Sequence, residues 1–159
     1  MRKIQGTEYT PLIEQVNPYH QLWKVRVKLD PNEDGIIEYM EEDFDHKPTE
    51  TEIKEYVMAH YNAMCNDMIQ SGLKYNDEIV WLSLENQQNY KMIYDYAMLN
   101  DDIFPIKIKL GDALNPEYYQ FESIEEIKGF YNSIIKHIND TLCDFWSKKD
   151  SIDWSEYGI

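Results

Sequence analysis

The stretch Asp30-Pro31-Asn32-Glu33-Asp34-Gly35-Ile36-Ile37-Glu38-Tyr39-Met40-Glu41 carries the chain's most suggestive spacing of chemical groups. It matches the calcium loop D-x-[DN]-x-[DN]-G-x5-E. Asp30, Asn32 and Asp34 would supply side-chain oxygens, Ile36 its carbonyl, and Glu41 both carboxylate oxygens. Gly35 would allow the sharp turn. Such a loop needs a helix on each side, however, and residues 22–29 alternate like a strand while Pro48 cuts short any exit helix. No second loop is present to pair with it. In so acidic a chain the match arises easily by accident, so the expectation is a solvated turn with no metal site.

Other chemistry is sparse. Cys65 and Cys143 lie on helix bodies without a nearby His, which does not suit a nucleophile. The acid pairs Glu41-Glu42 and Asp101-Asp102 fall in turns or acidic patches, where solvated charge is the default. His60 sits among aromatic and Met residues, with no ligand partner at a metal spacing, and is expected to be a hydrogen-bonded histidine at the core edge. No glycine-rich phosphate loop, H-E-x-x-H or zinc spacing occurs. The expectation is a protein that is not an enzyme and takes no cofactor.

Composition narrows the partners. The 159 residues carry a formal charge of −15, with 30 acidic against 15 basic side chains. Binding to nucleic acid rests mainly on Lys and Arg neutralising phosphates, so neither nucleic acid nor an anionic membrane is an expected partner. No stretch has the apolar length of a membrane span, and the first residues lack the apolar core of a signal peptide. Two cysteines within helices fit a reduced compartment better than a disulfide framework. Thirteen tyrosines are unusual. They suit wet protein interfaces or sugar-binding faces, or they fill half-buried sheet positions.

The positioning elements are read from periodicity. Residues 1–20 show no sustained period and are expected to be an extended arm. Trp23, Val25, Val27 and Leu29 alternate with Lys24, Arg26 and Lys28, a strand with one wet face. Ile37 and Tyr39 restart the alternation, which makes a hairpin. Thr49 and Glu52 form a capping box for a helix whose face holds Ile53, Tyr56, Val57, His60, Tyr61, Met64, Met68 and Ile69. Gly72 ends it, where a left-handed residue is wanted. The run Ile79-Val80-Trp81-Leu82 reads as a buried interior strand with Trp81 in the core. Ser83 then caps a helix whose apolar face is Tyr90, Ile93, Tyr94, Ala97 and Met98. Ile106, Ile108 and Leu110 form a strand that turns at Gly111 to Glu117 and returns through Tyr118 to Phe121.

Ser123 and Glu126 cap the last helix. Its seam is Ile127, Tyr131, Ile134, Ile138, Thr141 and Phe145, widened by Ile135, Leu142 and Trp146. That stripe suits a helix lying on a sheet, or a self-pairing coil. The order is hairpin, helix, strand, helix, hairpin, helix. It predicts an α+β fold with a mostly antiparallel sheet and helices packed on one face, as a single domain over 21–149 with a tail at 150–159.

Four strings carry a resemblance: YMEEDFDHKPT at 39–49, VWLSLENQQNYK at 80–91, FPIKIKLG at 104–111 and IKHINDTLCDFWSKKDSIDW at 135–154. Together they resemble an uncharacterised protein family of Bacteroidales bacteriophages and prophages. The C-terminal part is similar to a domain of unknown function found in phage tail-fibre and tail-associated proteins. The likeness covers roughly residues 20–155 and transfers no site residues. It implies a virion component of the tail or its attachment region, whose partners are other phage structural proteins or copies of itself. An assembly chaperone or adaptor absent from the particle is the alternative, as is an acidic inhibitor of a host protein.

For such a role the expected contact surface is Phe145, Trp146, Trp154 and Tyr157, concentrated where the regular elements end. The competing reading folds the tail back, so that Trp154 covers the domain's own sheet. For the acidic turn, calorimetry with millimolar Ca²⁺ should show no saturable binding. Binding that vanishes in Asp30→Ala would restore the metal reading.

Overall fold

The computed structural model describes residues 2–17, 19, 21–111 and 116–159. The elements are β1 (Arg2–Gly6), β2 (Ile13–Asn17), β3 (Leu22–Lys28), β4 (Ile37–Phe44), α1 (Glu50–Ser71), β5 (Lys74–Tyr75), β6 (Glu78–Ile79) and α2 (Leu84–Leu99). A 3₁₀ turn at Asp101–Ile103 leads to β7 (Ile106–Gly111), β8 (Pro116–Phe121) and α3 (Ile124–Asp150), and a second turn lies at Trp154–Tyr157. All strand pairs are antiparallel, and the fold is α+β. Residues 112–115 of the expected turn lie outside the described residues.

The expected single domain over 21–149 is instead two compact units: Met1–Asn62 with Lys148–Ile159, and Ala63–Ser147. The strands form three separate sheets. Each unit has its own apolar core: α1 supplies Ile53 and Val57 to the first, and α3 supplies Ile127, Phe130 and Ile134 to the second.

In the first unit the sheet order is β1-β4-β3-β2. The expected irregular arm is therefore both edges of a sheet. Edge strands need little apolar sequence, and the partner of β1 lies far along the chain, at Arg2↔Glu41, so no local period betrays it. One face of this sheet carries Val25 and Val27. Ile53 and Val57 of α1 pack there with Tyr157, Ile152 and Trp154 of the tail. The 150–159 segment thus belongs to the core.

The other face, expected to be wet, holds a buried charge cluster. Arg2, Glu41 and Arg26 are cross-strand neighbours on three adjacent strands. Glu41 is 2% exposed. Its Oε1 accepts from Arg2 Nε at 2.9 Å and Nη2 at 2.6 Å, and from Lys24. Its Oε2 accepts from Arg26 Nε at 2.7 Å. Arg26 also donates to the Pro11 carbonyl at 2.7 Å and to Glu14 at 2.6 Å, which ties in β2. Long aliphatic stems cover the carboxylate while the charged tips converge on it. Burial pushes the Glu41 carboxyl upward, but the hydrogen bonds from Lys24, Arg2 and Arg26 outweigh it and hold it at about 2.

Beside this cluster the Tyr39 hydroxyl donates to the Thr7 carbonyl at 2.6 Å. A Cβ on Gly6 would meet the Tyr39 ring at 2.7 Å and Thr10 Oγ1 at 2.6 Å, so only glycine fits there.

The capping box at Thr49 forms as expected. The Thr49 N–H donates to Glu52 at 2.7 Å, and the Glu52 N–H to Thr49 Oγ1 at 3.3 Å. His60 is buried, but its Nε2 has no hydrogen-bond partner among the described residues, contrary to expectation. Burial pushes its pKa down.

In the second unit, Ile127, Phe130 and Ile134 of α3 pack with Ile108, Leu110 and Phe121 of the β7–β8 hairpin, and with Val80, Leu82, Tyr90 and Ala97. The last helix lies on a sheet. Its stripe is narrower than expected, since Ile135 and Trp146 are exposed. An aromatic group knits this core: Tyr75, Tyr90 and Phe121 surround Phe130 at centroid distances of 5.0 to 5.2 Å, edge-on or tilted. Gly72 is not left-handed. Glycine is required there because a Cβ would lie 2.5 Å from the Met68 carbonyl and 3.0 Å from His137 Cε1. His137 Nε2 lies 3.1 and 3.2 Å from the Met68 and Ile69 carbonyls at the end of α1.

The charge cluster yields a prediction. Glu41→Gln keeps the shape but removes the buried charge on which Arg2, Lys24 and Arg26 converge, and should cost about 3–5 kcal/mol. The Glu41 pKa is lowered in the folded state, so its contribution is fully present above 4.5 and lost as pH falls toward 2. Urea melts across that range should therefore show a steeper acid loss in the parent than in Glu41→Gln.

Candidate functional site

The aromatic residues expected to form a contact surface are mostly used internally. Phe145 and Tyr157 are buried. Trp154 is half-buried, with its ring centroid 5.8 Å from that of Tyr157 and Lys54 Nζ 5.7 Å from its own centroid. Trp146 alone of the four is openly exposed.

The sequence Trp81-Leu82-Ser83-Leu84-Glu85-Asn86-Gln87-Gln88-Asn89-Tyr90 instead organises the exposed surface of the second unit. Its backbone is held from below: the Val80 N–H donates to the Leu73 carbonyl at 2.9 Å, and the Leu82 N–H to Gln70 at 2.8 Å. The Ser83 hydroxyl accepts from the Asn86 N–H at 3.2 Å, which caps α2. The Asn86 side chain donates back to the Trp81 carbonyl at 2.8 Å, and Gln87 to Leu82 at 2.8 Å. Tyr90 is buried, and its hydroxyl reaches the Lys109 carbonyl at 3.5 Å. Leu82, Ser83, Asn86, Gln87 and Tyr90 therefore brace the junction.

Trp81 corrects the sequence expectation. Val80 and Leu82 are fully buried, while Ile79 is 41% and Trp81 46% exposed. The segment is extended, so its side chains alternate. The apolar run fills both faces, but the chain covers only one. Regular strand ends at Ile79 because the next N–H groups donate to Leu73 and Gln70 rather than to a neighbouring ladder.

Two exposed features meet at this junction. The first is a hollow of about 580 Å³ lined by Ile79, Trp81, Asn86, Tyr90, Lys109 and Gly111. A shallower depression of about 380 Å³ shares Asn86, Tyr90 and Lys109 and continues past Asn89, Met92 and Lys107. The groove thus runs between α2 and β7. Lys107 Nζ lies 4.6 Å from the ring centroid of the exposed Tyr118.

The second feature is the outer side of α2. At about 100° per residue, Leu84, Gln88, Met92, Tyr96 and Leu99 fall within roughly 120° of arc. Leu84 is 78% and Leu99 82% exposed, and Met92 and Tyr96 are also open. This apolar stripe lies away from the buried Tyr90 and Ala97. The inward period was legible from sequence, and the outward one was there to be read at the same spacing.

A larger hollow, about 720 Å³, lies in the first unit between residues 47–50 and 155–159. Three of its polar side chains are occupied: Thr49 by Glu52, Glu50 by Lys54, and Ser155 by Asp153. The acidic turn is likewise consumed. Asn32 Oδ1 accepts the N–H groups of Asp34 and Ile36 at 3.1 and 2.9 Å. Glu41, which would close a calcium loop, is held by Arg2, Lys24 and Arg26. No group of three metal-ligating side chains occurs among the described residues.

The alternation at 79–82 predicts opposite outcomes for neighbours. Leu82→Ala should cost about 2–5 kcal/mol in chemical denaturation. Trp81→Ala should cost only about 1 kcal/mol or less. Equal losses would place Trp81 in the core after all. Compared with known protein families, curated proteins and solved structures, the chain matches none.

Proposed function

We propose that this chain is a non-enzymatic structural protein of a bacteriophage particle, a component of the tail or of its fibre attachment. It works through protein–protein contacts with other phage structural proteins or with copies of itself. One observation carries this reading: the junction at 81–90 is braced by part of its residues, while Trp81 and the α2 stripe remain exposed. Exposed aromatic and aliphatic side chains fixed on rigid elements are what a docking surface needs.

The charge of −15 favours protein partners over nucleic acid. The groups with strongly shifted pKa values have structural roles. Glu41 joins strands, and Glu52 is drawn down to about 2 by the Thr49 N–H and hydroxyl and by His46 while it caps α1. The tyrosines at 56 and 157 are pushed up chiefly by burial in the core. None of these is a poised acid or base in a cleft. The resemblance of 80–91 to the phage family supplies the setting.

Quantitative mass spectrometry of purified phage particles is the test. The chain should be present in a fixed ratio to the known tail proteins. Absence from particles that otherwise assemble normally would overturn the virion assignment.

A further inference from the structure

We infer that the outer face of α2 binds the same face of a second copy of this chain, the two helices lying antiparallel about a two-fold axis beside Met92. This names the partner for the protein-contact role proposed above and rests on that reading.

The helix period sets this face. Tyr90 and Ala97 turn into the core of the second unit. At about 100° per residue, the arc around Met92 lies nearly opposite to them. Leu84, Met92, Tyr96 and Leu99 stand along that arc, and all four are more than half exposed. Glu85 and Asp95 fall within it too. A row of large apolar side chains on one rigid element marks a contact surface.

Charge and shape select the occupant. Each copy carries a charge of −15, so two copies repel except where acids are few. α2 is such a place: its charged residues are Glu85, Lys91 and Asp95, and Lys91 already pairs with Asp95. At about 1.5 Å per residue, an antiparallel two-fold at Met92 sets Lys91 about 3 Å along the axis from the second copy's Asp95, on the same flank. Each ammonium then bridges both carboxylates, while the two Glu85 residues stay about 21 Å apart along the axis. A hollow of about 440 Å³ lies beside the N-terminal half of α2, lined by Leu84, Gln88, Lys91, Met92 and Tyr131. Tyr131 is fixed there by stacking on Tyr94, with ring centroids 4.5 Å apart. The antiparallel pairing brings the second copy's Leu99 to this hollow, and seats two such knobs at once. One surface thus carries both knob and hollow, as an isologous interface requires. A parallel pairing would set Leu99 against Leu99 and leave both hollows empty. Since α2 spans only about 24 Å, the contact falls below the roughly 800 Å² per partner of a standard interface and should be weak.

Sedimentation equilibrium of the whole chain from about 10 μM to about 1 mM should show a reversible monomer–dimer equilibrium. Met92→Glu puts like charges at the two-fold axis and should weaken it at least tenfold. Lys91→Glu should also weaken it, and adding Asp95→Lys to that variant should restore it. These changes fall on exposed side chains, and an unchanged melting temperature would verify the fold. Cysteine variants read the direction of pairing. In a Cys143→Ser background, which removes the exposed native thiol, Met92→Cys should oxidise to a covalent dimer. Leu84→Cys and Leu99→Cys should each stay unlinked alone and join when the two are mixed.

A chain that stays monomeric up to about 1 mM would overturn the inference. So would a dimer untouched by Met92→Glu, or a Leu84→Cys chain that links to itself. The broader role fails separately: a chain that dimerises in this way but is absent from particles keeps this inference and loses the virion assignment. A chain present in particles at a fixed ratio, yet monomeric in solution, does the reverse.

Discussion

The first unit depends on one buried carboxylate. Glu41 sits in the middle of its sheet and draws Arg2 from one side and Lys24 and Arg26 from the other. Arg26 passes the connection on to Glu14 and Pro11. Desolvating such a group is expensive, and only a full set of partners offsets the cost. The cluster therefore does more than join strands. A slip of one residue in β4 would turn Glu41 to the face where Val25 and Val27 meet α1. Charge on one face and apolar packing on the other thus specify the same register.

The legible parts of the fold were those written within a few residues. Thr49 with Glu52 and Ser83 with Asn86 are local exchanges between side chain and backbone, and both helix starts follow from them. The hairpins at 22–44 and 106–121 show in their alternation. What stayed hidden depends on distant segments. The strand at 2–6 has meaning only beside β4, and Lys24 and Arg26 look solvated until Arg2 and Glu41 are placed near them. Tyr157 follows the last long helix and looks free, yet its ring completes the core that Val25 begins. Trp81 misled for the opposite reason: its neighbours belong to the core, and only the alternation separates it from them.

The junction at 81–90 shows how stability and recognition share one stretch of sequence. Four side chains there, those of Ser83, Asn86, Gln87 and Tyr90, brace the turn into α2 by hydrogen bonds. The residues between them have no part in that brace, so their chemical character is not set by folding. An indole and a leucine at such positions are unfavourable choices for solvent alone. The candidate site was therefore hard to see as chemistry: what marks it is apolar side chains facing outward, not a reactive group.

The pairing of Arg2 with Glu41 also bears on the route by which the sheet is assembled. β3 and β4 are joined by the short connection at 29–36 and already bring Lys24 and Arg26 to the carboxylate. β1 must return across most of the unit's sequence to add the last guanidinium. Closing the longer loop costs more chain entropy, and contacts of large sequence separation slow folding. The hairpin is thus the natural nucleus, with its carboxylate already neutralised. β1, which precedes the hairpin it joins, is on this topology among the last strands to find its place.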